Sequence, residues 1–256
     1  MADACYVYCV IASPRPPRRA RATRGLPGTR GVRLLDADGG VYLAVADAPL
    51  SQYGEAAINR GLSDLEWVSR AAVAHERVVE SFDGSGAVLP MKLFTVFRSD
   101  TRALDHIRSQ RKRLAALAKR VAGHDEWSVR VVLDRSRGEG TPTERETSSG
   151  ARTGAGYLAR KKARRDAAAE LTARARETVA SLYDRLATRA RLARRRSASE
   201  LPVEGGPLLL DAAFLVPRTR TSSFRGLVAR EARSMRRRGY GVTLTGPWPP
   251  YSFVQD

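Results

Sequence analysis

Cys5 to Ile11, CYVYCVI, is a run of β-branched and aromatic residues with no polar face, the pattern of a central strand covered on both sides. A strand of that kind needs neighbours and two covering layers, and the residues that follow supply them. Val32 to Leu35 and Val41 to Val45 flank Asp38-Gly39-Gly40, a turn signal between two short apolar runs, which predicts a β-hairpin. From Ser63, an N-cap residue with Glu66 three positions on, Leu65, Val68, Ala72, Val79 and Phe82 recur at helical steps. After Gly84-Ser85-Gly86, AVLPMKLFTVF from Ala87 to Phe97 reads as another strand, with Pro90 near its start. Strand, hairpin, helix and strand make a small α/β sandwich of ferredoxin-like kind.

The second half repeats the mixture with a longer helix. Asp100 to Val121 places Leu104, Ile107, Leu114, Leu117 and Val121 on one side, against arginine and lysine on the other. Trp127 to Leu133 alternates as a strand, and Arg135 to Gly154 is rich in Gly, Ser, Thr and charge, which predicts a mobile excursion. Tyr157 to about Arg196 carries a stripe of Ala168, Leu171, Ala175, Val179, Leu182, Leu186, Ala190 and Ala193. Unbroken, such a helix would reach about 60 Å, more than one small sheet covers. Leu208 to Pro217 reads as a buried strand, Phe224 to Arg238 as a helix stopped by Gly239, and Val242 to Thr245 as a closing strand. The expected division is an N-terminal domain over 1–99 with a basic flexible loop at 14–31, and a C-terminal α+β domain over 100–246. The latter contains a mobile loop at 136–154 and a long helix at 157–196; a tail over 247–256 follows.

The charge balance narrows the partners without naming one. Lys and Arg number 45 against 27 Asp and Glu, a formal net charge of +18, and such a field attracts polyanions, acidic proteins and anionic lipid alike. The basic residues are scattered over several elements with no recognition helix among them, so nucleic-acid binding stands as the alternative reading. Cys5 and Cys9, about 13 Å apart along a strand, cannot bridge each other and fit a reducing compartment. Asp3 sits where a secretory signal would be positive, and no apolar run approaches a membrane span, so a cytoplasmic location is expected.

Catalytic constellations are absent from the sequence. His75-Glu76 begins a zinc-peptidase motif, but the second histidine would fall at Val79. Gly154-Ala155-Gly156 opens a helix without a strand immediately before it or a suitably placed acid after it, so no dinucleotide site follows. His75, His106 and His124 lie on separate elements, and His75 reads as a structural residue beside the core. Asp211, Asp125 and Glu126 are explained by capping or salt bridging. Neither metal nor cofactor is expected.

The closing segment, Gly246 to Val254, reads GPWPPYSFV. Pro247, Pro249 and Pro250 fix their own φ, so the tail leaves the sheet stiff and extended. Trp248, Tyr251 and Phe253 carry more apolar area than a free terminus keeps, and they dock either on the chain's own sheet or in a partner's groove. These three are the candidate partner-binding residues. Deleting 247–256 is expected to abolish function and leave the fold intact.

Taken in order, YVYCVI, AHERVVESF, AVLPMKLFTVF, EWSVRVVLD, GAGYLARKK, AAFLVPR and LTGPWPPYSFV resemble the F/L family of gas vesicle accessory proteins, from Cys5 to Val254. The resemblance implies two domains, an N-terminal modified ferredoxin-like domain and a C-terminal α+β domain, with no enzymatic activity. It also implies a role in gas vesicle formation, at the vesicle or in the cytoplasm, with the small hydrophobic shell protein and other accessory proteins as partners. Two departures stand out: Lys92-Leu93-Phe94-Thr95 where the family tends to have Arg-Phe-Gly-Thr, and the basic stretch from Pro14, which looks like an embellishment.

Overall fold

A computed structural model describes residues 3–18, 23–133, 154–196 and 207–254. The chain is an α+β protein of two units, one formed by Met1–Glu126 with Pro247–Asp256 and the other by Trp127–Gly246. The division therefore falls later than residue 99. Helices α4 (Asp100–Ser109) and α5 (Arg111–Val121) go with the first unit, because their apolar residues Ala103, Ile107, Leu114 and Leu117 are buried against its strands.

The first unit holds strands β1 (Asp3–Ala12), β2 (Arg33–Asp36), β3 (Val41–Pro49), β4 (Ala87–Pro90) and β5 (Val96–Phe97). The sheet order is β2-β3-β1-β4, with β5 also paired to β1, and each of these pairings is antiparallel. That is the ferredoxin-like order, modified in one connection: between β1 and β2 the described residues, 13–18 and 23–32, form a loop where that fold has a helix. β1 is buried from Ala4 to Ile11, as its two-faced apolar sequence requires. A register shift between Val7 and Cys9 brings Tyr6, Tyr8, Cys9 and Ile11 into one core cluster, against strict alternation. The β2–β3 turn takes positive φ at Asp38, Gly39 and Gly40, as the Asp-Gly-Gly signal foretold.

Several expected elements are cut shorter than the sequence suggested. The helix begun near Ser63 is α3 (Leu65–Glu80), and Asp64 caps it: its Oδ1 accepts from the Glu66 and Trp67 amides at 3.0 Å each. Two short helices that no periodicity announced, α1 (Leu50–Tyr53) and α2 (Glu55–Gly61), precede it. The run Ala87 to Phe97 is broken by a turn in which the Thr95 amide and hydroxyl both donate to the Lys92 carbonyl. Phe94 lies in that turn at φ +64°, a left-handed conformation that suits glycine. Here the ring of Phe94 stacks on Trp67 at 4.8 Å, and its amide donates to the Tyr6 hydroxyl at 3.1 Å.

The loop after β1 is fastened where it is described. Leu26 is buried, its amide donates to the Tyr8 hydroxyl at 3.0 Å, and the Tyr53 hydroxyl donates to the Pro27 carbonyl at 2.7 Å. The expectation of a flexible arm over 14–31 is therefore corrected for 23–31. Buried backbone outside a helix must find donors and acceptors elsewhere, and tyrosine hydroxyls provide them.

The second unit contains β6 (His124–Leu133, of which Trp127 onward belongs here), α6 (Gly154–Ala187), β7 (Leu192–Arg195) and β8 (Leu208–Pro217). Helix α7 (Thr221–Arg236) and strand β9 (Tyr240–Trp248, to Gly246 in this unit) complete it. Its sheet order, β7-β8-β6-β9, repeats that of the first unit, now with a helix in both connections. Ala175, Val179, Leu182 and Leu186 of α6 pack with Phe214, Phe224 and Val228 in one core. The expected helix to Arg196 ends at Ala187 because the chain turns to pair antiparallel with β8 as an edge strand. Ala190 and Ala193 still face the core, from a turn and a strand, which is why the stripe continued past the helix end. No helix among the described residues is long and apolar enough to cross a membrane. The excursion expected at 136–154 lies outside the described residues, apart from Gly154, which opens α6.

Candidate functional site

The closing segment owes its shape to its prolines. Pro249 and Pro250 hold φ near the helical value. A single turn, α8 (Tyr251–Val254), follows at once, with the Tyr251 amide donating to the Pro249 carbonyl and the Phe253 amide to that of Pro250. The extended tail read from the sequence is thus corrected at its end. Gly246 at φ +127° makes the bend that precedes it.

Two carboxylates of the first unit hold the turn. Glu126, only 3% exposed, accepts from the Ser252 amide at Oε2 and from the Ser252 hydroxyl at Oε1, both at 2.7 Å. A first helical turn leaves its amides without internal partners, and a carboxylate at that end satisfies one while meeting the positive end of the peptide dipoles. Glu76, on α3, shares a hydrogen bond with the Tyr251 hydroxyl, while its Oε1 is buried without a partner. Burial lifts its carboxyl from an ordinary 4.5 to about 7; the Tyr251 bond opposes this and the charges of Glu80 and Glu126 add to it. Burial and the same carboxylate push the Tyr251 hydroxyl far above its usual range.

Behind the turn lies a polar cluster inside the core. The Tyr6 hydroxyl accepts from the Phe94 amide at 3.1 Å and shares a second hydrogen bond with His75 Nδ1, 2.8 Å away, whose direction is set by the imidazole tautomer. His75 Nε2 is buried with no hydrogen-bond partner among the described residues. Desolvation pulls His75 down to about 4, so it is neutral at pH 7. The His75 ring lies 5.5 Å from that of Tyr8 and 6.5 Å from that of Tyr251. The reading of His75 as a structural core residue holds, and its role in positioning tyrosines was not legible from sequence.

The three candidate residues come out differently. Phe253 is 6% exposed and Val254 is buried with it, α8 being packed on β4 and α5. Tyr251 is half-buried and engaged by Glu76. Trp248 keeps 39% of its surface exposed. The structure thus gathers Tyr251 and Phe253 on the chain's own first unit and leaves Trp248 the most exposed of the three. The sequence could not find Glu76 and Glu126 as the groups that receive them, since an acid on a helix and one in a strand carry no mark of a distant partner. Asp211 accepts from Arg196 Nε at 3.0 Å and lies 3.5 Å from Arg130 Nε, the salt bridging expected of it.

The family model for "Gas vesicle synthesis protein GvpL/GvpF" matches residues 4–255, nearly the entire chain. The chain belongs to the GvpL/GvpF family. Among curated proteins it is similar to gas vesicle protein L of Streptomyces sp. (strain CB03234), 30% identical over 97% of this chain and 92% of that one. Gas vesicle protein F of the same strain is 27% identical over 98% of this chain and 99% of that one. Among solved structures it is similar to GvpF from Anabaena sp. PCC7120, with a TM-score of 0.72 at 18% identity and 99% of both chains covered. GvpF from Microcystis aeruginosa gives 0.67 at 18% identity, covering 98% of this chain and 99% of that one. At that level of identity the structural likeness speaks for the shared two-sheet fold, and the family descriptions name gas vesicle proteins without naming an enzyme.

Proposed function

We propose that this protein is a non-enzymatic accessory factor of gas vesicle formation that holds the small hydrophobic shell subunit, or fellow accessory proteins, during assembly at the vesicle. Small strand-forming subunits with exposed edges and apolar patches aggregate unless something restrains them before they join. The observation that carries the reading is Trp248, a large ring 39% exposed at the start of a segment whose far end is anchored. An aromatic held on stiff backbone loses little conformational freedom on binding, which is the property of an interface anchor. Tyr251 and Phe253 serve the same contact by fixing the segment that presents it.

Deletion of 247–256 is a poor test, because it would empty the sites of Phe253 and Val254 and leave Glu126 buried without Ser252. Trp248→Ala is the informative change. Purified shell subunit should be captured by the unaltered protein and lost by the variant, with circular dichroism establishing that the variant folds. Equal capture by Trp248→Ala removes this residue from the interface, and turnover of a substrate by the purified protein ends the non-enzymatic reading.

A further inference from the structure

The positive charge is concentrated in the second unit. Trp127–Gly246 carries 26 basic residues against 12 acidic, the remainder of the chain 19 against 15. From Arg218 to Arg238 eight arginines accompany one carboxylate, Glu231. That carboxylate is already used: Arg185 of α6 donates to it through Nε at 3.0 Å and Nη2 at 2.8 Å.

The arginines of α7 are arranged about a seam. Phe224, Val228 and Met235 mark the buried side. At 100° per residue, the line opposite them runs through Ser222, Gly226, Ala229 and Arg233. Arg236 stands on one rim of this line and Arg230 and Arg237 on the other, all exposed. Among the described residues, a Cβ added at Gly226 would meet only Arg230 Nη1, at 3.6 Å, so the seam is open to a backbone from outside. Among the described residues, Arg230, Arg233, Arg236 and Arg237 have no carboxylate partner. Arg233 stands one turn from each of the others, which sets like charges where they repel. The peptide dipoles favour arginine at the helix end, which explains Arg233, Arg236 and the C-cap Arg237 but not Arg230 or the missing acids.

We propose that this face of α7 is the seat of an acidic, helix-forming segment of a partner polypeptide. The small residues admit a second helix at the ordinary interaxial distance of about 8–10 Å, and arginines on both rims take its carboxylates in two-pronged pairs. A nucleic acid would need rings to stack on or amide side chains to read base edges. From Thr221 to Arg236 the only aromatic is Phe224, which is buried, and there is no Asn or Gln. The inference does not depend on Trp248 or on which protein that ring meets.

The test uses the full chain and three fluorescein-labelled probes, read by anisotropy. One is an alanine–glutamate peptide of about five helical turns with glutamates flanking an alanine seam. The second has the same composition with two prolines inserted, and the third is single-stranded oligothymidylate. The intact helical peptide should bind about tenfold more tightly than the proline-broken one. R230E/R233E/R237E should remove that binding, whereas K112E/K119E on α5 should change it by less than about twofold. Gly226→Leu, which fills the seam without altering charge, should weaken the helical peptide at least about fivefold and leave oligothymidylate unaffected. Circular-dichroism melts establish that each variant folds. Absence of helical-peptide binding, equal binding of the broken peptide, indifference to Gly226→Leu, or tighter binding of oligothymidylate each overturns the proposal.

Discussion

Replacing Glu76 with glutamine asks whether a carboxyl is held largely protonated beneath the closing turn. A group lifted from 4.5 to about 7 keeps its proton in the native protein at pH values where the unfolded chain has released it. Its contribution to stability is full below about pH 4.5 and is lost as pH rises through 7. Glutamine, which has no proton to lose and still offers an oxygen to Tyr251, feels none of this loss. The difference corresponds to about 3 kcal/mol at most, and to about 2 after discounting for a side chain that is only part-buried. For a chain of this size that is a gain of roughly 4–8 °C in Tm for Glu76→Gln relative to the unaltered protein at pH 8. The gain is measured against the gap at pH 5, which absorbs any fixed effect of the amide. Scanning calorimetry of both proteins at the two pH values reads the result, and the protection factors of the amides at 251–254, with the intrinsic rise of exchange with pH divided out, should fall with pH only in the unaltered protein. A Tm gap that is the same at pH 5 and pH 8 would refute the reasoning. So would a gap of opposite sign, which would place the carboxylate's negative form as the one the site prefers, against Glu80 and Glu126 alike.

Glu126→Ala should free α8, since two 2.7 Å bonds to Ser252 are lost and a helical amide is left without an acceptor; about 2–3 kcal/mol is expected, read as loss of exchange protection at Ser252. Phe94→Gly should be more stable than Phe94→Ala by about 1 kcal/mol, because both remove the stack on Trp67 but only glycine relieves φ +64°. Denaturant titration of the two variants decides it, and an alanine variant at least as stable as the glycine one rejects the strain. Gly226→Ala should raise stability by about 0.8–1 kcal/mol, since the helix gains propensity and the added carbon meets only Arg230; no rise in Tm would show that the site is more crowded than its geometry.

Much of the architecture could be read from the chain itself, and the places where reading stopped have common causes. Leu208–Pro217 came out as a strand at the expected bounds because its apolar run and flanking turn residues agree. The β2–β3 hairpin followed from Asp38-Gly39-Gly40 alone. What periodicity cannot see is a decision made by a neighbour. Thr188 to Arg196 has the composition of a helix and carries no Gly or Pro, yet it leaves the helix to pair with β8. Asp100 to Val121 reads as one helix and is two, parted at Gln110 with φ −99° and ψ 12°. Likewise the tail announced its aromatics, but the carboxylates that receive it lie more than a hundred residues upstream in the chain.

The tyrosines of β1 follow from the same kind of decision. The two units share a strand order, and β1 and β6 hold the same place in it. In β6 the inward residues are Trp127, Val129 and Val131, which face helices whose backbone groups bond among themselves. In β1 they are Tyr6 and Tyr8, on a sheet whose first connection is a loop. A loop against a sheet brings amides and carbonyls with no partners of their own, and an apolar strand would leave them unsatisfied at about 1–3 kcal/mol each. In that loop Tyr8 answers Leu26 and Tyr53, from α1, answers Pro27, while Tyr6 answers Phe94 in the turn between β4 and β5. The polar cluster around His75 is thus the consequence of irregular backbone packed against β1, in the loop after β1 and in the turn between β4 and β5. The tail's anchoring at Glu76 is built on its edge, so the segment that presents Trp248 is held by groups whose first duty is to the fold.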